Sequence, residues 1–161
     1  MKKMKANKTN AMRMLDRAKI PYDVNYYEVT EQHMDGIEIA DVNGIDRDQV
    51  YKTLVVENAQ HQPFVCVTPV TRHLDLKRAA NILNEKKLSM LPLDQLKKVT
   101  GYERGGCAPI GMKHPYPIVV DEAVEMLDTF NISGGRRGAQ IVIDVHDFLT
   151  LTKAITAPIT K

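Results

Sequence analysis

One lysine interrupts an apolar strand face. Val50-Tyr51-Lys52-Thr53-Leu54-Val55-Val56 reads as a β-strand, and side chains on a strand alternate between its faces. Lys52 is therefore in phase with Val50, Leu54 and Val56. A lysine so placed either points into a cleft or carries its charge to a sheet edge, where it also blocks edge-to-edge pairing. The pattern alone leaves both readings open. In a cleft, the ammonium offers three donors and a compact charge to a phosphate, a carbonyl oxygen or a carboxylate.

Two glycine-bearing segments could supply backbone donors. Gly101-Tyr-Glu-Arg-Gly-Gly-Cys-Ala-Pro-Ile-Gly111 contains the adjacent pair Gly105 and Gly106. Such pairs let main-chain amides approach an anion or a developing oxyanion. The segment lacks the Gly-Lys-Ser/Thr ending of a nucleotide-binding loop. Ile132-Ser133-Gly134-Gly135-Arg136-Arg137-Gly138-Ala139-Gln140 lies between two strand-like runs. It reads as a hairpin turn whose two arginines, Arg136 and Arg137, and exposed amides suit a phosphate contact.

Cys107 is the candidate nucleophile. A reactive thiol needs a helix N-terminus or a neighbouring cation to lower its pKa. The residues after Cys107 do not read as a helix, and no partner histidine is identifiable from spacing. Cys66, inside a strand, reads as a small core residue. No CxxC or HExxH spacing occurs, and His33, His61, His73, His114 and His146 are scattered. No metal and no cofactor is expected.

The elements that must position these groups follow from periodicity and punctuation. A helix is expected over residues 7–18, ended by Ile20-Pro21, then a strand over 22–28 and a short helix over 36–42. Strands over 49–57 and 63–68, joined by the polar stretch 58–62, predict a hairpin. Helices are expected over 74–83 and from Pro92 to Thr100. A strand over 117–120, a short helix over 122–127, strands over 129–133 and 139–145, and a closing helix over 146–154 complete the order. Strands and helices are interspersed without strict βαβ alternation. The expected class is α/β, with a mixed, barrel-like sheet flanked by helices.

With 161 residues, one domain over 1–161 is expected. The hydrophobic fraction of 43% is enough for a core. No apolar stretch approaches the roughly 20 residues of a membrane span, and the basic first segment lacks the apolar run of a secretory signal. Two cysteines argue against a disulfide scaffold and for a reducing cytosol. The net charge is +2, yet Lys2, Lys3, Lys5, Lys8, Arg13, Arg17 and Lys19 crowd the first segment against Asp16. Further basic pairs stand at 77–78, 86–87, 97–98 and 136–137. They read as solvated faces or as a phosphate-facing surface.

Taken in order, Val50-Tyr-Lys-Thr-Leu54, Val67-Thr-Pro69, Leu74-Asp-Leu-Lys77, Gly101-Tyr102, Gly105-Gly-Cys-Ala-Pro-Ile-Gly111 and Ile132-Ser-Gly-Gly-Arg-Arg-Gly138 resemble the YbaK/EbsC-type proteins. These are bacterial Cys-tRNA(Pro) deacylases, related to the editing domain of bacterial prolyl-tRNA synthetase. The resemblance spans nearly the whole chain. It implies a YbaK-like fold and hydrolysis, in trans, of the ester joining cysteine to the 3′ end of proline tRNA. It also implies a cytoplasmic enzyme that works alongside prolyl-tRNA synthetase.

Residue by residue, the resemblance makes Lys52 and Gly105 the centre of the site. It also sets Tyr27 and Ser133 around the substrate; Thr53, Gly106, Cys107, Gly134 and Arg136 are expected to bind substrate beside them. Where the family often carries an acid, this chain has Gln140. In this family the attacking group is thought to be the thiol of the bound cysteine itself. A deacylase for another mischarged tRNA, such as Ala-tRNA(Pro), and a non-catalytic module binding tRNA or a synthetase are the competing readings.

Overall fold

The computed structural model describes residues 7–29 and 34–161. Lys2, Lys3, Lys5 and His33 lie outside the described residues.

Helix α1 (Asn10–Arg17) begins where the Thr9 hydroxyl oxygen accepts the Met12 amide. Ala11, Met12 and Leu15 recur at helical spacing and are buried. The Thr9 hydroxyl also donates to the Gly134 carbonyl at 2.6 Å, so one side chain caps the helix and ties it to a distant turn. Strand β1 (Tyr22–Tyr26) follows, and the Tyr27 amide extends it by donating to Gly138 O. Helix α2 (Gly36–Val42) carries a full capping box: Asp35 accepts from the Glu38 amide and Glu38 accepts from the Asp35 amide.

The expected hairpin is present. Strands β2 (Tyr51–Glu57) and β3 (Pro63–Pro69) pair antiparallel, with Lys52 opposite Thr68. Asn58 organises the connection: its Oδ1 accepts from the amides of Gln60 and Gln62. Helix α3 (Leu76–Ile82) buries Ala79 and Ala80. The two-residue strand β4 (Ser89–Met90) then pairs with the end of β2. The segment after Pro92 is shorter than expected. A 3-10 turn over Leu93–Gln95 leads into α4 (Leu96–Thr100), which Gly101 ends in the left-handed region.

Strand β5 (Ile118–Asp121) runs parallel to β3, and the residues after it form a 3-10 turn over Glu122–Met126. Strands β6 (Thr129–Ser133) and β7 (Ala139–Asp144) form an antiparallel pair that β1 completes. Helix α5 (Val145–Thr152) is not the end of the fold. Lys153 turns left-handed, and β8 (Ile155–Ala157) adds a parallel strand beside β5. The closing helix expected to Ala154 is therefore two residues shorter and is followed by a strand.

The result is a three-stranded sheet in the order β1-β7-β6 and a five-stranded sheet in the order β4-β2-β3-β5-β8. Val50 and Asn131 join them by an isolated parallel bridge. Beyond that bridge β2 and β6 share no ladder. Between the sheets, Tyr51 and Phe148 each pack edge-on against Phe130, at 5.3 and 5.2 Å between ring centroids. This mixed α/β arrangement agrees with the expected class.

Candidate active site

A cavity of about 330 Å³ opens where β2 leaves the bridge. The face carrying Lys52 changes character along its length. Val50 and Val56, at its ends, are buried, whereas Lys52 and Leu54 between them are half-buried. Lys52 thus stands at an opening in an otherwise closed apolar face. Among the described residues it forms no ion pair. Burial lowers its pKa, and the negative charge of Asp35 partly restores it.

Tyr27, Thr53, Gly105, Cys107 and Ser133 line the same cavity. Four separate stretches of chain deliver them: the end of β1, strand β2, the glycine loop and the end of β6. The Ser133 oxygen accepts from the Gly135 amide at 3.2 Å, which leaves its hydroxyl proton free to donate. Gly105 adopts φ 84°, a left-handed conformation that a side chain would strain. The loop holding it is braced from within. The buried Tyr102 donates its hydroxyl to Ile110 O at 2.7 Å, and the Thr100 hydroxyl oxygen accepts the Tyr102 amide at 3.0 Å.

Gly106, Gly134 and Arg136 do not line the cavity. The Gly106 amide donates to Glu103 O, and a Cβ on Gly106 would lie 2.6 Å from Arg136 Cα. Gly106 is the point where the glycine loop packs directly on the backbone of the β6–β7 turn. Gly134 donates its amide to Ala139 O and closes that turn. The Arg136 guanidinium donates to Asn7 O at 3.0 Å and lies over the Tyr26 ring, so it secures the segment before α1.

Cys107 reaches the cavity, but burial pushes its thiol up to about 12. A thiol so protonated is a poor nucleophile at neutral pH. No histidine lines the cavity among the described residues.

Sequence reasoning passed over Asp35 and Arg104, both on the cavity wall. Asp35 could have been found from the capping-box spacing Asp35-x-x-Glu38. Arg104 carries no such signal, since an arginine in a glycine loop reads equally well as a solvated charge. Apolar residues from several stretches of chain, among them Ile39, Val70, Leu91 and Leu96, complete the walls. A cavity of this kind takes a small group with a polar, reactive end and an apolar remainder, held by a cation and a hydroxyl.

Comparison with solved structures places the fold first. The chain superimposes on a crystal structure described as a candidate trans-editing enzyme for prolyl-tRNA synthetase with a TM-score of 0.81, at 21% identity, covering 97% of this chain and 99% of that one. A structure described only as a hypothetical protein gives a TM-score of 0.84 at 17% identity, covering 94% of this chain and 99% of that one. The sequence is 39% identical to EbsC of Enterococcus faecalis, named as a candidate Cys-tRNA(Pro)/Cys-tRNA(Cys) deacylase, over 99% of this chain and 97% of that protein. A weaker likeness, 27% over 95 residues, links 59% of the chain to 16% of a proline–tRNA ligase of Trichlorobacter lovleyi. The aminoacyl-tRNA editing domain model matches residues 30–151. The chain belongs to the aminoacyl-tRNA editing domain family.

Proposed function

We propose that this protein hydrolyses the ester of mischarged Cys-tRNA(Pro) in trans, clearing the wrong amino acid before it enters translation. The observation that carries this reading is Lys52, a half-buried cation without an ion-pair partner among the described residues, standing in a cavity of an editing-domain chain. The likeness to EbsC supports cysteine as the amino acid removed.

Lys52 is placed to hold the carbonyl oxygen or a neighbouring phosphate, and the Gly105 backbone to face the reacting ester. The attacking atom is the substrate's own sulfur. It bonds to the ester carbon, the bond from that carbon to the ribose oxygen breaks, and the thiol proton ends on the departing oxygen. Water then opens the resulting thiolactone to free cysteine. Cys107, held protonated by its burial, contributes to the wall of the site. The likeness to part of a proline–tRNA ligase supports prolyl-tRNA synthetase as a working partner, and the free cysteines Cys66 and Cys107 suit the reducing cytosol as the compartment.

The test presents Cys-tRNA(Pro), Ala-tRNA(Pro) and Pro-tRNA(Pro) to the protein and follows loss of the ester. Cys-tRNA(Pro) is expected to be cleared preferentially. Preference for Ala-tRNA(Pro) would move the specificity, and hydrolysis of none would make the protein a binding module. Lys52→Ala is expected to lower the rate by about 100-fold to 1,000-fold, the scale of losing one charge-stabilising donor. Cys107→Ala is expected to keep most activity. A folded but inactive Cys107→Ala protein would overturn the substrate-thiol mechanism.

A further inference from the structure

Gln140 occupies the middle strand of the three-stranded sheet, paired with Asn25 on one side and Ser133 on the other. Directly opposed residues share a face, so these three polar side chains form a row across the sheet. The alternate residues Ala139, Ile141 and Ile143 enter the core on the opposite face. Gln140 is 4% exposed and lines the cavity. Its amide oxygen is buried and has no hydrogen-bond partner among the described residues. The Thr53 hydroxyl oxygen, on the same cavity wall, is the second such atom. Buried polar atoms are nearly always paired, and leaving one unmet costs free energy on the scale of a lost hydrogen bond. The free carbonyl of Gln140 therefore has the character of a ligand contact awaiting its donor.

The charge of the cavity selects the donor. Lys52 and Arg104 bring two cations to its walls, against the carboxylate of Asp35. A further cation, such as the α-ammonium of an amino acid, would meet two like charges there against one carboxylate, and a neutral amide at Gln140 itself. An uncharged hydroxyl avoids that repulsion and still satisfies the amide oxygen. An aminoacyl ester at a tRNA 3′ end uses one of two neighbouring ribose hydroxyls and leaves the other free.

We propose that Gln140 is a specificity-determining residue whose amide oxygen accepts a hydrogen bond from the free ribose hydroxyl beside the aminoacyl ester. The contact rests on the reading that the cavity receives the aminoacyl 3′ end. It makes recognition depend on the terminal sugar as well as on the amino acid.

The experiment pairs Gln140→Met, which keeps the length of the side chain and removes the amide, with two substrates. Cys-tRNA(Pro) ends either in adenosine or in 2′-deoxyadenosine acylated at the 3′ position. The wild-type protein is expected to cleave the deoxy substrate about tenfold more slowly, the scale of one buried hydrogen bond left unmade. Gln140→Met is expected to lose about tenfold on the ribose substrate and to treat the two alike. A variant that keeps the wild-type ratio overturns the contact, because a merely structural role for Gln140 would slow both substrates equally. A third ester, carrying the α-hydroxy analogue of cysteine, reads the ammonium: if only this substrate loses its sensitivity to Gln140→Met, the amide holds the amino group and the proposal falls. Should the wild-type protein hydrolyse none of these, the same ratio is read from binding of uncharged tRNA ending in adenosine or 2′-deoxyadenosine. Discrimination abolished by Gln140→Met would then retain the contact while the hydrolytic reading fails.

Discussion

Lys52 is in an environment that opposes its own charge. Burial lowers its pKa, and among the described residues only the field of Asp35 works the other way. Because the folded protein holds the Lys52 proton less tightly than the unfolded chain does, wild-type stability grows as pH rises through the lowered pKa toward the ordinary lysine value near 10.4. At neutral pH the charged form therefore costs stability that the site requires for function. Replacing it by methionine keeps an apolar stem and removes the charge. Lys52→Met is expected to raise the thermal midpoint at pH 7 while lowering deacylation by about 100-fold to 1,000-fold, and the gain should shrink as the pH approaches about 10. Melting curves across that range decide the matter: a lower midpoint at pH 7, or a gain that does not change with pH, would contradict the account. A residue that weakens the fold where it does chemistry is the usual trade between stability and activity.

At the next scale up, the glycine loop and the β6–β7 turn act as one element because their backbones touch at Gly106. Its hypothetical Cβ would sit 2.6 Å from Arg136 Cα and 2.9 Å from the Arg136 carbonyl carbon. Backbone atoms cannot rotate aside as a flexible side chain would. Gly106→Ala must push the loop away from the turn, and with it Gly105 and Cys107 away from Ser133. The expected cost is about 1–3 kcal/mol in urea unfolding, with deacylation falling about 100-fold through misplacement of the site. Gly44→Ala is the useful contrast. Gly44 also adopts a left-handed φ, of 65°, but a Cβ there meets nothing within 4 Å. That variant should lose about 1–2 kcal/mol from backbone strain and keep wild-type deacylation. Equal activity in the two variants would show that the loop contact does not position the site.

Across the molecule, the parts legible in the sequence are those specified locally. The β2–β3 hairpin follows from two apolar runs and Asn58, and α2 from its caps. The strand phase that singled out Lys52 is local as well. The parts that were not legible owe their form to distant partners. Strand β8 has three residues, Ile155–Ala157, too few for a periodicity to register, and exists through its ladder with β5. Arg136 reads as a phosphate ligand from its neighbours in sequence, yet Asn7 and Tyr26 occupy it. The same long-range logic makes Asp121 decisive for the end of the chain. It is 2% exposed, and its carboxylate accepts from the Ala123 amide at 3.1 Å, the Ile159 amide at 3.2 Å and the Thr160 hydroxyl at 3.0 Å. One side chain thereby turns the chain out of β5 and clasps the segment that follows β8. Asp121→Ala would strand buried donors with no acceptor, at a cost of about 3 kcal/mol. The urea midpoint should fall accordingly, and the Ile159 amide should exchange with solvent far faster than in the wild type. Neither Asp121 nor its partners line the cavity, so deacylation at low temperature should persist. Protection of Ile159 that survives the substitution would mean that strand pairing alone, without the carboxylate, holds the end of the chain in place.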